Sequence, residues 1–211
     1  MFFQRDYILR MIEMMGDLMR RIRELMNDLA RIKLLDEACR AHTGISLETA
    51  EGLTGESLTE LLQPMPRLMM SEILFAKAET VAVQAEEREA LLYKSLCLLA
   101  SLWQEGPLCE IRSSRLMAMK EEVLPQLTPS ELMDCARFLA EAERFADMED
   151  AIFQAAEALG EVQDELRREG TLLLEKAAAA KPDALALAQT TREELLEAAK
   201  ELSGGISARS L

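Results

Sequence analysis

Apolar side chains between residues 8 and 32 recur at spacings that alternate between three and four residues. The repeat consists of Ile8, Met11, Met15, Leu18, Ile22, Leu25, Leu29 and Ile32, and Met19 and Met26 widen it on one side. On a helix these ten side chains form one apolar stripe, which we call the N-terminal seam. The pattern therefore predicts a long amphipathic helix over residues 1–40.

The rest of the chain also has helical patterns. β-branched residues are sparse, strict alternation is rare, and long runs are rich in Ala, Leu, Glu, Lys, Arg and Met, which favour helix. We predict an all-α fold in which the N-terminal helix precedes stacked antiparallel helix hairpins with irregular repeats. The predicted helices cover about 4–40, 67–84, 87–103, 109–123, 129–144, 147–159, 161–180 and 192–203. The predicted organisation is a helix at 1–40, a connector of short helices at 41–66, a helical-hairpin domain at 67–203 and a flexible tail at 204–211.

Capping residues determine several of these boundaries. Thr128 and Glu131 have the spacing of a capping box, in which each side chain binds a free amide of the other residue. The same Ser/Thr-x-x-Glu pattern recurs at residues 57–60 and 191–194. Residues 204–205, both glycine, suit the left-handed end of the last helix.

The charge of the chain limits its partners. The formal net charge is −14, and a surface of this sign repels nucleic-acid phosphates and anionic lipid headgroups. Residues 1–33 carry seven bases and five acids, so this segment is +2 and the remainder is −16. We expect protein rather than nucleic acid as the partner.

No catalytic or cofactor signature is present in the sequence. The four cysteines, Cys39, Cys97, Cys109 and Cys135, lie far apart, which predicts reduced thiols in the cytoplasm.

Charged residues interrupt the apolar residues at the start of the sequence, and no stretch approaches about 20 apolar residues, so neither a signal peptide nor a membrane span is expected. His42 is the only histidine, and the Cys39–His42 half-site has no second pair, so no metal site is expected. Glycine-rich phosphate loops are also missing, and we expect a protein that is not an enzyme and binds no cofactor.

Part of the chain resembles a known repeat. Residues 147–159, DMEDAIFQAAEAL, resemble the second helix of a tetratricopeptide repeat, and the segment before Ala146 is similar to its first helix. Residues 86–102 are a fainter copy, although Ala90 and Ala151 are 61 residues apart and the family period is about 34 residues. The resemblance implies packed helix hairpins, either as an ordinary core or as a superhelix with a peptide-binding groove. The whole layout, beginning with RDYILRMIEMM, also looks like a family of uncharacterised helical proteins from anaerobic gram-positive bacteria.

The N-terminal seam is the predicted site of function. Its leading interpretation is a partner-binding face through which a cytoplasmic scaffold or adaptor self-associates, because methionine adapts to varied surfaces. A peripheral membrane protein using the same helix is the alternative function. A heptad repeat alone does not distinguish either function from an internal core helix.

Overall fold

The computed structural model describes the backbone of residues 2–158 and 164–207. These residues form twelve α-helices and one short 3-10 helix, and they contain no β-strand, so the predicted all-α fold is confirmed. The helices are α1 (Phe2–Glu24), α2 (Asp28–Thr43), α3 (Leu47–Gly52), α4 (Gly55–Leu61), α5 (Pro64–Thr80), α6 (Ala85–Ala100), α7 (Gly106–Val123), α8 (Pro129–Glu141), α9 (Phe145–Ala158), α10 (Asp164–Ala178), α11 (Pro182–Leu187) and α12 (Arg192–Ser207).

The chain divides into two compact units. The first unit consists of Met1–Leu102 and Arg115–Gln126, and the second consists of Trp103–Ser114 and Leu127–Leu211. Both units contain fully buried aliphatic side chains from several helices. Each unit therefore has a hydrophobic core of its own.

Helix α5 is the centre of the first unit. It packs against α1, α2 and α6, while α4 lies on α6 and α3 lies on α2. Ser71 of α5 and Ser95 of α6 each donate a hydrogen bond to the backbone carbonyl of the other, at 2.8 Å in both cases. These two small side chains satisfy each other where the helices meet, so the α5–α6 contact leaves no buried hydroxyl unpaired.

The second unit is built from two helix pairs. Helix α8 packs on α9, α10 packs on α12, and α8 also contacts α10. A Cβ atom on Gly170 of α10 would lie 2.8 Å from Ile152 Cγ2 and 3.0 Å from Leu202 Cδ2. These distances are shorter than van der Waals contact, so only glycine permits α10 to approach α9 and α12 this closely.

Two of the predicted capping boxes are confirmed. At the start of α8, Thr128 Oγ1 accepts from Glu131 N at 3.3 Å, and Glu131 Oε2 accepts from Thr128 N at 2.8 Å. At the start of α12, Thr191 Oγ1 accepts from Glu194 N at 3.2 Å, and Glu194 Oε2 accepts from Thr191 N at 2.8 Å. The short helices expected in the connector at 41–66 are α3 and α4.

Other predicted boundaries are wrong. The Ser57 pattern lies inside α4, because Thr54 is the capping residue and its side chain accepts from Ser57 N at 3.1 Å. The glycines at 204–205 do not end the last helix, which continues to Ser207. The predicted tail at 204–211 is therefore helical at its start, and residues 208–211 lie outside the described part of the chain.

The single helix predicted over residues 4–40 is also wrong, because α1 ends at Glu24 and α2 begins at Asp28. Asn27 explains the break. Its backbone is extended, and its side chain accepts a hydrogen bond from Ala30 N at 3.0 Å, which caps a new helix.

A basic side chain fixes this break in place. Arg31 Nε donates to Leu25 O at 3.0 Å, and Arg31 Nη1 donates to Thr80 O at 2.6 Å. The first bond holds the peptide that follows α1, and the second joins α2 to the end of α5. We call residues 25–29 the corner, and these bonds make it an ordered turn rather than a loose linker.

The hairpin that resembles a tetratricopeptide repeat is present as α8 and α9, but its turn is earlier than predicted. Residues 142–144 form the turn, so Ala146 lies inside α9. Glu143 has a left-handed backbone with φ of 55°. Ala151 is buried against neighbouring helices, whereas Ala90, its predicted counterpart in α6, is exposed.

The sequence predicts a break between a helix at 147–159 and a helix at 161–180. The residues around this break, 159–163, lie outside the described part of the chain.

Candidate functional site

Four side chains of the N-terminal seam are covered by the chain itself. Ile8, Met15, Leu18 and Ile22 are buried, and Ile22 has no exposed surface at all. They belong to α1, which packs against α5. These four side chains therefore belong to the core of the first unit. The heptad spacing alone does not distinguish such a core position from a partner-binding face.

The rest of the seam is covered to different degrees. Met11, Met19, Leu25 and Ile32 are half-buried. Met26 is 97% exposed and Leu29 is 78% exposed. Because the helix breaks at the corner, these last two side chains no longer continue the stripe of α1, and they are the seam residues available to another molecule.

Arginines flank the exposed corner. Arg20 forms an ion pair with Asp17, one helical turn earlier. Arg21 and Arg23, close to the corner in sequence, are exposed. The corner therefore presents two exposed apolar side chains that follow two exposed arginines along the chain.

An apolar groove lies in the second unit, where α10 ends, α11 runs and α12 begins. Its volume is about 640 Å³. Apolar lining comes from residues 178–180, all alanine, together with Pro182, Leu185 and Ala186, and the rim at the start of α12 includes Arg192 and Glu193. Nothing in the sequence patterns marked this groove, because it is formed where three helices meet rather than by one periodic face.

Three helices of the first unit meet at a buried lysine. Lys77 Nζ of α5 donates to Glu51 Oε1 of α3 and to Glu87 Oε1 of α6, both at 2.7 Å. Burial alone would lower the pKa of Lys77, but the two carboxylates outweigh it and the pKa is raised. Lys77 is thus held in its charged form, which joins three helices and is the opposite of what a lysine nucleophile needs.

The buried carboxylate of the first unit is also paired. Glu72 of α5 binds Arg115 of α7, and the Arg115 guanidinium lies 4.4 Å from the centre of the Phe75 ring. The Arg115 guanidinium thus neutralises a buried carboxylate and stacks on an aromatic ring, and both contacts stabilise the packing of α5 and α7.

The thiols lie in positions that disfavour reactivity. Cys39, Cys109 and Cys135 are buried and Cys97 is half-buried. Burial raises the pKa of the Cys39 thiol, and burial together with Glu141 raises the pKa of Cys109 to about 12. A thiol with a raised pKa carries little thiolate at neutral pH.

The Cys39–His42 pair, whose spacing alone does not make a metal site, lies near the C-terminal end of α2. Cys39 Sγ lies 3.7 Å from Thr43 Oγ1 and 3.9 Å from Met70 Sδ. Among the described residues, no group of three or more His, Cys, Asp or Glu side chains is placed to hold a metal ion.

Comparison of the chain with protein-family models, curated proteins and solved structures finds no match. Within the described helices, none is both long enough and apolar enough to cross a membrane.

Proposed function

We propose that this protein is a non-enzymatic interaction scaffold or adaptor of the cytoplasm that self-associates through its N-terminal helices. One observation carries the proposal: Met26 and Leu29 are 97% and 78% exposed at an ordered corner. Because the backbone of the turn is already ordered, a partner that covers these side chains need not pay for ordering the backbone. The active part of the seam is then the corner, while Ile8, Met15, Leu18 and Ile22 hold α1 in place.

The hairpins of the second unit support the scaffold part of the proposal. The turn after α8 and the turn after α11 have the same geometry, since Glu143 and Gln189 are both left-handed, with φ of 55° and 57°. In each turn the next amide donates back to a leucine carbonyl, from Arg144 N to Leu139 O at 2.9 Å and from Thr190 N to Leu185 O at 3.1 Å. Caps of this kind end helices in many folds, and here they make the tight connections between helices that a stack of hairpins requires.

The non-enzymatic part of the proposal is supported by the use of the polar residues. Lys77 and Arg115 neutralise carboxylates between helices. Cys39 and Cys109 are buried, with raised pKa values. These groups are engaged in contacts between helices or in the buried core.

Sedimentation equilibrium over a wide concentration range tests the self-association. We expect the wild-type chain to form oligomers as its concentration rises. Met26→Glu combined with Leu29→Glu should be monomeric with an unchanged far-UV helical signal, because both side chains are already exposed. Leu61→Glu combined with Leu172→Glu is the matched control, since it adds the same charge at exposed leucines elsewhere and should still associate. A wild-type chain that is monomeric throughout contradicts the proposal.

A peripheral membrane role is the second candidate, and Arg21 and Arg23 beside Met26 favour it. Methionine and leucine can enter the acyl boundary while arginines contact anionic headgroups. Co-sedimentation with vesicles of phosphatidylserine and phosphatidylcholine tests it. Binding that is lost in the Met26→Glu, Leu29→Glu variant would support this role, and no binding by the wild-type chain would exclude it for these lipids.

A further inference from the structure

The exposed corner and the apolar groove have complementary chemistry. The corner carries the exposed side chains of Met26 and Leu29. The groove is concave and lined largely by apolar residues, and its volume is about 640 Å³. Ala178 and Leu185 are buried where they line it, and Ala186 is exposed at its edge. An exposed apolar side chain that enters a concave apolar surface removes the apolar area of both from water.

The charges beside the two surfaces have opposite sign. Residues 17–33, around the corner, contain five bases and three acids, with Arg21 and Arg23 exposed. Residues 181–201, around the groove, contain three bases and five acids, and Glu193, Glu194 and Glu197 are exposed in the first two turns of α12. Opposite charges beside matched apolar surfaces set the orientation of a contact and increase its rate of formation.

We propose that the partner of the corner is a second copy of this chain, whose groove between α10, α11 and α12 receives Met26 and Leu29. This inference rests on the self-association proposed above and adds which surface accepts the corner. Arg21 and Arg23 of one copy then face the acidic start of α12 in the next copy. The contact joins two different surfaces, so it is heterologous, and every copy keeps one corner and one groove for further copies.

A heterologous contact predicts a distinctive result when two blocked variants are mixed. Met26→Glu with Leu29→Glu removes the corner but keeps the groove, and Ala186→Arg obstructs the groove but keeps the corner. All three changes are at exposed positions, so circular dichroism should confirm folded proteins. Each variant alone should be monomeric in sedimentation equilibrium, and a one-to-one mixture should form a dimer that grows no further. Wild-type chains should form assemblies larger than dimers.

Charge exchange provides an independent measurement. Arg23→Glu should weaken association about tenfold or more, Glu193→Arg should do the same, and a mixture of the two variants should recover part of the loss. Leu61→Glu with Leu172→Glu is again the control for added charge.

The outcomes separate the two proposals. A monomeric wild-type chain refutes the self-association itself. If the wild-type chain associates but the Ala186→Arg variant still associates equally well, or the mixture of blocked variants stays monomeric, the corner binds a surface other than the groove and this inference is overturned.

Discussion

Long basic side chains close the C-terminal ends of helices in the first unit. Arg67 Nη2 donates to Thr59 O at 2.6 Å and to Leu62 O at 3.0 Å, which satisfies the end of α4. Lys94 Nζ donates to Glu51 O near the end of α3. The last carbonyls of a helix lack internal partners and carry a partial negative charge, so a cation there is favourable. At the residue scale, these bases therefore stabilise the short helices rather than forming a site.

Gly170 and Gly16 allow one substitution to be compared at two contrasting positions. Gly170→Ala should lower the free energy of unfolding by about 1–3 kcal/mol, because the added methyl group overlaps Ile152 and Leu202. Gly16→Ala should raise it by about 0.5–1 kcal/mol, because this glycine lies inside α1 with nothing within 4 Å of the new atom. Urea unfolding followed by circular dichroism measures both, and equal effects of the two changes would contradict the packing described for α10.

Glu149 gives a pH-dependent prediction. Burial, followed by repulsion from Asp150, Glu194 and Glu201, raises the pKa of Glu149 above its ordinary value of 4.5. The folded state therefore prefers the protonated carboxyl group. The contribution of Glu149 to the free energy of unfolding is greatest below the ordinary pKa and is lost as the pH rises through the raised pKa. Glu149→Gln, which imitates the protonated form, should raise the melting temperature at pH 7, and this gain should vanish near pH 3.

The control for Glu149 is Glu157→Gln, at an exposed position of the same helix, and it should leave the melting temperature nearly unchanged at both pH values. A lower melting temperature of Glu149→Gln at pH 7 would mean that the ionised carboxylate is stabilising.

At the scale of the helices, capping residues and periodicity each predict some boundaries correctly and others wrongly, and the Ser57 pattern and the glycines at 204–205 are among the wrong ones. The capping boxes predicted at Thr128 and Thr191 are confirmed, because both reciprocal bonds are made within four residues. The heptad spacing of the seam predicts a single helix, because it continues across a break that depends on Asn27. Asn27 followed by Asp28 is itself a helix-start signal, so the break was readable from the sequence. The groove was not, since it depends on the tertiary arrangement of three helices.

Asn27 can be tested directly as the origin of the break. Asn27→Ala removes the acceptor of Ala30 N, so we expect a loss of about 1 kcal/mol in the free energy of unfolding. Asn27→Asp keeps an acceptor oxygen at the cap and should lose little. Chemical denaturation of the three proteins measures the difference, and an Ala variant as stable as the wild type would show that Arg31 alone holds the corner.

At the scale of the whole molecule, burial separates the two halves of the N-terminal seam. Ile22 has no exposed surface, whereas Met26 is 97% exposed four residues later. A stripe that continues in sequence is thus divided between the core of the first unit and the molecular surface. The two compact units also have separate sets of buried side chains, so damage to one core need not open the other.

Ile22→Asp tests both the burial of Ile22 and the independence of the two cores. A carboxylate at this buried position should cost more than about 3 kcal/mol, because it must be desolvated without a partner or expose the core around α1 and α5. Differential scanning calorimetry should show loss or strong lowering of the first unit's transition, while limited proteolysis leaves a resistant fragment that includes α8 to α12. Leu61→Asp places the same charge at an exposed position of the first unit outside the corner and should leave the calorimetric profile nearly unchanged. An Ile22→Asp protein that retains its stability would place Ile22 outside the core, and complete digestion of the variant would show that the two units unfold as one.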